Sequence, residues 1–268
     1  MNGDDSDVPR EQVLFLARAE SRVRIMDALA EAESVTNRQL RDRLDASRTT
    51  VSRALRSLAE RGWVEKSDGA YRLTRAGQHV ATAFDRLLDT VDRVDELAEF
   101  LRWFPSDVES PDFLAASDVT VTYSTDADPY APARKQTGIL HTAGRLRILL
   151  PAIDRESTGT LVEQVTEHGL DVETVVPPAV ESTMESDEFA PLMRKTVQTG
   201  RSSVWVADED VPFYLGIPDE GAVQVGLADG DGLPRALLET TDDRVRTWAE
   251  RLYAEFRNRA DPKPADEF

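Results

Sequence analysis

The sequence predicts an α+β chain: a small helical head closed by a β-hairpin, a long linking helix, and a C-terminal α/β domain whose mixed sheet ends in an antiparallel meander. Three observations predict it. Short amphipathic helical stretches from Glu11 onward end in two strand-like segments around Asp68-Gly69. Thr74–Phe104 then runs without proline and with one glycine, Gly77. Beyond Pro105, apolar strand-like runs alternate with helical ones, and three further strand-like runs follow without helices. The expected division is 1–74 for the head, 75–104 for the linking helix and 118–260 for the tail domain, with 105–117 as linker.

The elements of the head follow from local chemistry. Glu11–Ala19 and Ser21–Glu31 read as helices, the second with Val23, Ile25, Met26 and Leu29 as its apolar stripe. Thr36 is the expected N-cap of the next helix, and Gln39 three residues on completes a capping box. Leu40 and Leu44 share one face of it. Ser47 caps the following helix, in which Val51, Ala54, Leu55 and Leu58 form the buried stripe and Gly62 the stop. The opposite face presents Arg48, Thr49, Thr50, Ser52, Arg53 and Arg56. Trp63–Lys66 and Ala70–Leu73 flank Ser67-Asp68-Gly69, a hairpin signal.

Helix, helix, turn, helix and hairpin in this order make a winged helix-turn-helix. The run T-N-R-Q-L-R-D-R-L from Thr36, then S-R-T-T-V-S-R-A-L-R-S-L-A-E-R-G-W-V from Ser47, resembles the archaeal and bacterial winged-helix transcription regulators. The resemblance implies that Ser47–Arg61 enters the major groove of double-stranded DNA while the wing meets the backbone or minor groove. The candidate DNA-binding residues are Asn37, Ser47, Arg48, Thr49, Thr50, Ser52, Arg53, Arg56, Lys66 and Arg72. Arginine can bond guanine with two parallel hydrogen bonds, and a threonine methyl can meet a thymine methyl. Arg56, Lys66 and Arg72 are placed for phosphates, which anchor without specifying. Asn37, at a helix start, could reach a phosphate.

Charge supports this partner. The 268 residues hold 50 acids against 32 bases, a net −18, and only 4 of the bases are lysine. Such a balance is common in salt-rich cytoplasm, so the expectation is a halophilic archaeal protein. Against that background Ser34–Gly77 holds 10 bases and 5 acids, net +5, whereas residues 106–268 carry −16. A basic island in an acidic chain points to an anionic partner.

In the linking helix, Val80, Phe84, Leu87, Val91, Val94, Ala98 and Leu101 fall at spacings of 4, 3, 4, 3, 4 and 3. This is a heptad seam and predicts a homodimer. Leu88, Leu97, Phe100 and Phe104 widen the apolar face toward a second surface.

The tail is read as strand Val119–Thr125, helix Tyr130–Ala143, strand Leu146–Pro151, helix Glu156–Gly169, strand Leu170–Val176, helix Asp187–Thr199 and strand Ser203–Ala207. Phe213–Ile217, Ala222–Ala228 and Arg235–Glu239 form the meander, and Asp242–Ala260 is a closing amphipathic helix. The βαβ alternation predicts parallel strands. Asp128-Pro129-Tyr130-Ala131-Pro132, Gly144–Pro151 and the Thr241–Tyr253 helix are similar to the middle domain of the archaeal methanogenesis-regulator family, distantly like the phospholipase-D-like sensor of TrmB-type regulators. The resemblance implies a regulator with a ligand- or signal-sensing domain and names no ligand. The alternative is a ligand-free protein-interaction or architectural DNA-binding module.

No enzyme is expected. Phospholipase-D chemistry needs a lysine two residues after a histidine, and none of His79, His141 and His168 has one. There is no P-loop and no G-x-S-x-G, so no catalytic residue and no cofactor is assigned. Cysteine is absent, and the histidines are not spaced as metal ligands, so no metal is expected. Asp229-Gly230-Asp231-Gly232 begins like a calcium loop but lacks its later ligands and reads as a turn. A small-molecule effector would sit at the carboxyl ends of the parallel strands, where Tyr123, Tyr130, Arg134 and Trp205 are the candidates; an aromatic pair with one arginine would suit an anionic or polyhydroxylated metabolite. The longest run without charge is nine residues, too short for a membrane span, and Met1–Arg10 has no apolar core of a secretory signal. A cytoplasmic protein is expected.

Overall fold

Capping chemistry sets the helix boundaries of the head in the computed structural model, which describes residues 7–268. The part of the N-terminal signal reading that concerns residues 1–6 lies outside the described residues. The chain forms two units, one up to Asp92 and one from Arg93. The first contains α1 (Asp7–Ala17), α2 (Glu20–Ala30), β1 (Val35–Thr36), α3 (Asn37–Leu44), α4 (Arg48–Ala59), β2 (Val64–Ser67), β3 (Ala70–Leu73) and most of α5 (Arg75–Trp103). Thr36 and Gln39 form the reciprocal capping box of α3, with the Thr36 amide donating to Gln39 Oε1 at 2.8 Å. Ser47 Oγ accepts from the Thr50 amide at 3.1 Å and starts α4. Asp68 and Gly69, with φ of 51° and 83°, make the tight turn between β2 and β3.

Ile25, Met26, Leu40, Val51, Leu55 and Leu58 are buried at the centre of this unit. The sheet order is β1-β3-β2, antiparallel throughout. Gly77 is dictated by close approach: a Cβ there would lie 1.9 Å from the Trp63 carbonyl oxygen. Val80 and Phe84, the first two positions of the heptad seam, pack into this core. They are therefore not free for a partner helix, because the head needs the first turns of α5 to close it. Later seam positions stay open: Leu87, Val91, Val94 and Leu101 are 46%, 50%, 39% and 37% exposed.

The second unit is an eight-stranded mixed sheet of order β11-β7-β6-β5-β8-β9-β10-β4. Its elements are β4 (Thr120–Tyr123), α6 (Ala131–Thr137), β5 (Arg145–Leu149), α7 (Arg155–Glu167), β6 (Asp171–Val176), α8 (Pro178–Met184), α9 (Ala190–Val197), β7 (Ser202–Val206), β8 (Tyr214–Pro218), β9 (Val223–Ala228), β10 (Pro234–Thr240), α10 (Asp243–Arg259) and β11 (Asp261–Lys263). β5, β6 and β7 are parallel, and β8, β9 and β10 form the antiparallel meander. The fold class is the α+β arrangement read from the sequence.

Several details differ from that reading, among them the helix expected at 130–143, which is α-helical only over Ala131–Thr137. The strand at 119–125 does not join the parallel set: β4 lies at the far edge, antiparallel to β10, with Val121 opposite Leu238. A four-residue, threonine-rich and half-buried strand suits an edge, whereas the parallel centre takes the more continuous apolar runs. The helix expected at 187–199 is shorter, and α8, with Pro178 at its first position where proline is well tolerated, precedes it. β11 adds an antiparallel strand beside β7. The main core of this unit gathers Phe113, Phe213, Leu215, Val225 and Trp248, together with Leu97 and Phe100 from the end of α5. Leu97, Phe100 and Phe104 of the expected second apolar surface of α5 are thus spent here, whereas Leu88 stays 43% exposed. No helix among the described residues is long and apolar enough to cross a membrane.

Candidate functional site

α4 separates its residues by face. Val51, Ala54, Leu55 and Leu58 are buried, while Arg48, Thr49, Arg53 and Arg56 lie on the opposite face, turned toward solvent. Within the head, Arg24, Arg38, Arg43 and Arg72 are tied to carboxylates. Arg48, Arg53 and Arg56 have no acidic partner among the described residues, so their charge faces outward uncompensated.

Most of the other candidates are committed to the scaffold, while Lys66 stays exposed. Ser47 caps α4 and its hydroxyl lies 2.9 Å from Thr50 Oγ1. Asn37 Nδ2 donates to Ser52 Oγ at 3.2 Å, which braces α3 against α4 instead of pointing outward. In the wing, the Lys66 ammonium lies 5.6 Å from the Tyr71 ring centroid, and Arg72 Nε donates to Glu65 Oε1 at 2.7 Å. Arg72 is therefore half-neutralised.

A cationic group that sequence reasoning missed lies beside α4. The Arg22 and Arg61 guanidinium groups sit 3.9 and 3.4 Å from the Phe15 ring centroid. Partial burial, then the like charges of Arg61 and Arg53, lower the Arg22 pKa. Arg61 lies two residues beyond the end of α4, so helical periodicity gave no signal for it. Phe15 and Arg22 come from other helices and gave no local signal.

The four candidate effector residues do not converge. Tyr130 and Arg134 line a cavity of about 450 Å³ at the carboxyl ends of β5 and β9, together with Leu150, Asp154, Leu227 and Leu233. Arg134 is ion-paired with Asp128, which raises the arginine pKa and lowers that of the carboxyl. Tyr123 instead borders a different cavity of about 440 Å³, and its hydroxyl donates to the Glu96 carbonyl at 2.8 Å. Trp205, on β7, stacks under the Arg257 guanidinium, with its indole N–H lacking a partner among the described residues. Six strand spacings separate β4 from β7, about 29 Å at 4.8 Å each.

Two further clusters exist. A groove of about 730 Å³ at the opposite strand ends holds Arg145, Arg147 and Arg201 against Asp171, Glu173 and Asp219, a balanced wall. Arg147 pairs with Glu250 at 2.7 Å and Arg201 with Asp171 at 3.1 Å. Glu163, Glu167 and His168 bring ligand-type atoms within 4.8 Å of one another, but all three are exposed at the end of α7.

The head and tail define a two-domain protein of the winged-helix regulator type. Residues 10–96 match the HVO_A0261 N-terminal domain, and residues 129–259 match the middle domain of the methanogenesis regulatory protein FilR1. The chain thus joins an HVO_A0261-type N-terminal domain to a FilR1-type middle domain. Among solved structures it is similar to TrmBL2, an archaeal chromatin protein, at 15% identity and a TM-score of 0.44, covering 94% of this chain and 99% of that one. It is also similar to Nuc, a phospholipase D family member from Salmonella typhimurium, at 13% identity and a TM-score of 0.41, covering 55% of this chain and 99% of that one. No curated protein matches the sequence.

Proposed function

We propose that the chain is a dimeric, non-enzymatic DNA-binding transcription regulator whose second unit senses a small-molecule effector. The observation that carries this reading is α4: one face buried, the other presenting Arg48, Thr49, Arg53 and Arg56 free of acidic partners among the described residues. Arginine near the start of a recognition helix can read guanine, and Arg56 with Lys66 can hold phosphates. Asn37 and Ser52 act one step back by bracing α4 against α3, and Ser47 and Thr50 by capping α4. Arg22 and Arg61 add positive charge beside Arg53. The match of the middle domain to a model named for a regulatory protein supports the same reading.

The dimer is supported by the exposed part of α5. Leu87, Val91, Val94 and Leu101 keep heptad spacing, and a second copy of the same helix matches that period. The effector reading is supported by the cavity at Tyr130 and Arg134. As a DNA-binding protein it acts inside the cell.

The test is a gel-shift titration of the full chain against the DNA upstream of its own gene, with and without a small-molecule extract of the source cells. The proposal expects a discrete complex at a lower protein concentration than on random DNA, and a shift in that concentration with extract. Equal affinity for every sequence would overturn the regulator reading. A specific complex indifferent to extract would favour a ligand-free architectural module instead.

A further inference from the structure

We propose that the cavity between α6, the β5–α7 connection and the β9–β10 turn takes a small, mainly apolar molecule carrying a cationic amine. This rests on the effector reading above and adds the class of ligand. At about 450 Å³ the cavity is in the range that holds small molecules, about 300–1,000 Å³. It continues into an inner lobe of about 60 Å³ that shares Leu150, Ile153 and Ser157 with it and is walled by Leu140, Ile148 and Tyr214. Tyr214 is buried, with its hydroxyl 3.2 Å from Gln224 Oε1, so its ring and not its hydroxyl is what a ligand meets.

The mouth is marked by unusual exposure. Outside α1 and α5, Tyr130 at 55% and Leu233 at 46% are the large apolar side chains left exposed among the described residues, and both line this cavity. An apolar ligand would cover both, and exposed apolar surface of this kind marks binding sites.

Charge decides the polar end. Arg134 is the cation of the wall, and Asp128 already holds it. Asp154 and Glu156 also line the cavity and form no ion pair among the described residues, although the Glu156 charge reaches Arg134 and helps raise its pKa. Asp154 spends Oδ1 on the Ser157 amide at 2.9 Å, which leaves its second oxygen to accept another hydrogen bond. An anion would find no free cation here and two carboxylates. An ammonium group would instead find carboxylate oxygens that accept its charge-assisted hydrogen bonds. Of the anionic or polyhydroxylated metabolite expected from the sequence, the anionic alternative therefore has the wrong charge for this wall.

Calorimetry on the full chain with 2-phenylethylamine and with 3-phenylpropionate, matched in shape and opposite in charge, tests the proposal. The expected result is one amine bound per chain and at least tenfold weaker binding of the carboxylate. D154N/E156Q, in which the new amide side chain at position 154 keeps the helix cap through its carbonyl oxygen, should weaken the amine at least tenfold. Ala152→Trp, at the lip, should abolish its binding. Carboxylate binding as tight as the amine, no amine binding, or amine binding unchanged in D154N/E156Q would each overturn the proposal. If Ala152→Trp fails to melt as wild type, the charge variant alone decides. The measurement contains no DNA, so its failure leaves the regulator reading intact; that reading falls only if the chain does not select a DNA sequence.

Discussion

Leu87→Asp tests the dimer helix most sharply. Leu87 is 46% exposed in the single chain, so the folded protomer tolerates a charge there at the cost of helix propensity, a few tenths of a kcal/mol. In a paired seam the same residue is covered twice, once per copy. Full burial of a leucine is worth about 1.5–3 kcal/mol, so covering the exposed half contributes about 1 kcal/mol per copy and about 2 for the pair. Aspartate removes this and leaves two carboxylates facing one another without partners, which adds about 1–3 kcal/mol. A loss of about 3–5 kcal/mol weakens dimerisation at least a hundredfold. Sedimentation equilibrium should show wild type as a dimer at micromolar concentration and Leu87→Asp as a monomer with unchanged circular dichroism. Thr82→Asp, exposed on the same helix away from the seam, should remain a dimer. A monomeric wild type, or a Leu87→Asp protein that dimerises normally, would refute the reasoning.

Two further outcomes are expected. Gly77→Ala drives a methyl group to 1.9 Å from the Trp63 carbonyl oxygen, so α5 must shift against the wing; thermal melting should show a loss of about 1–3 kcal/mol, and wild-type stability would disprove the close packing. Asp242 caps α10 and is held below the usual carboxylate range by Arg244 first and the Ser117 amide second. A carboxyl with a depressed folded pKa stabilises fully above its unfolded pKa of about 4, and that stability is lost as pH falls through the folded value. Acid titration of stability should therefore be steeper for wild type than for Asp242→Asn below about pH 4, and parallel curves would contradict it.

What the sequence made legible was local. Thr36, Gln39 and Ser47 announce the helix starts, and Asp68-Gly69 announces the wing, because each satisfies backbone groups within four residues of itself. Pairings between distant strands were not legible. β4 could sit beside β5 or at the far edge, and only its weak burial favours the edge; once there, it carries Tyr123 away from Trp205. The candidate DNA face was legible as a set of residue types. Its division into outward cations and bracing groups depended on the Asn37–Ser52 hydrogen bond and the Arg72–Glu65 pair, which join residues fifteen and seven apart. The cavity partners of Tyr130 come from three separate connections, so only Tyr130 and Arg134 could be nominated in advance.

The central claim is that α4 reads DNA bases. Its most direct measurement is footprinting and quantitative binding of Arg48→Ala, Arg53→Ala, the double variant and Lys66→Ala on the specific site and on random DNA, at one fixed salt concentration. Each arginine variant is expected to lose about 1–3 kcal/mol on the specific site and to relax base preference, while Lys66→Ala weakens all sequences alike. A double variant that protects the same site with wild-type affinity would contradict the account.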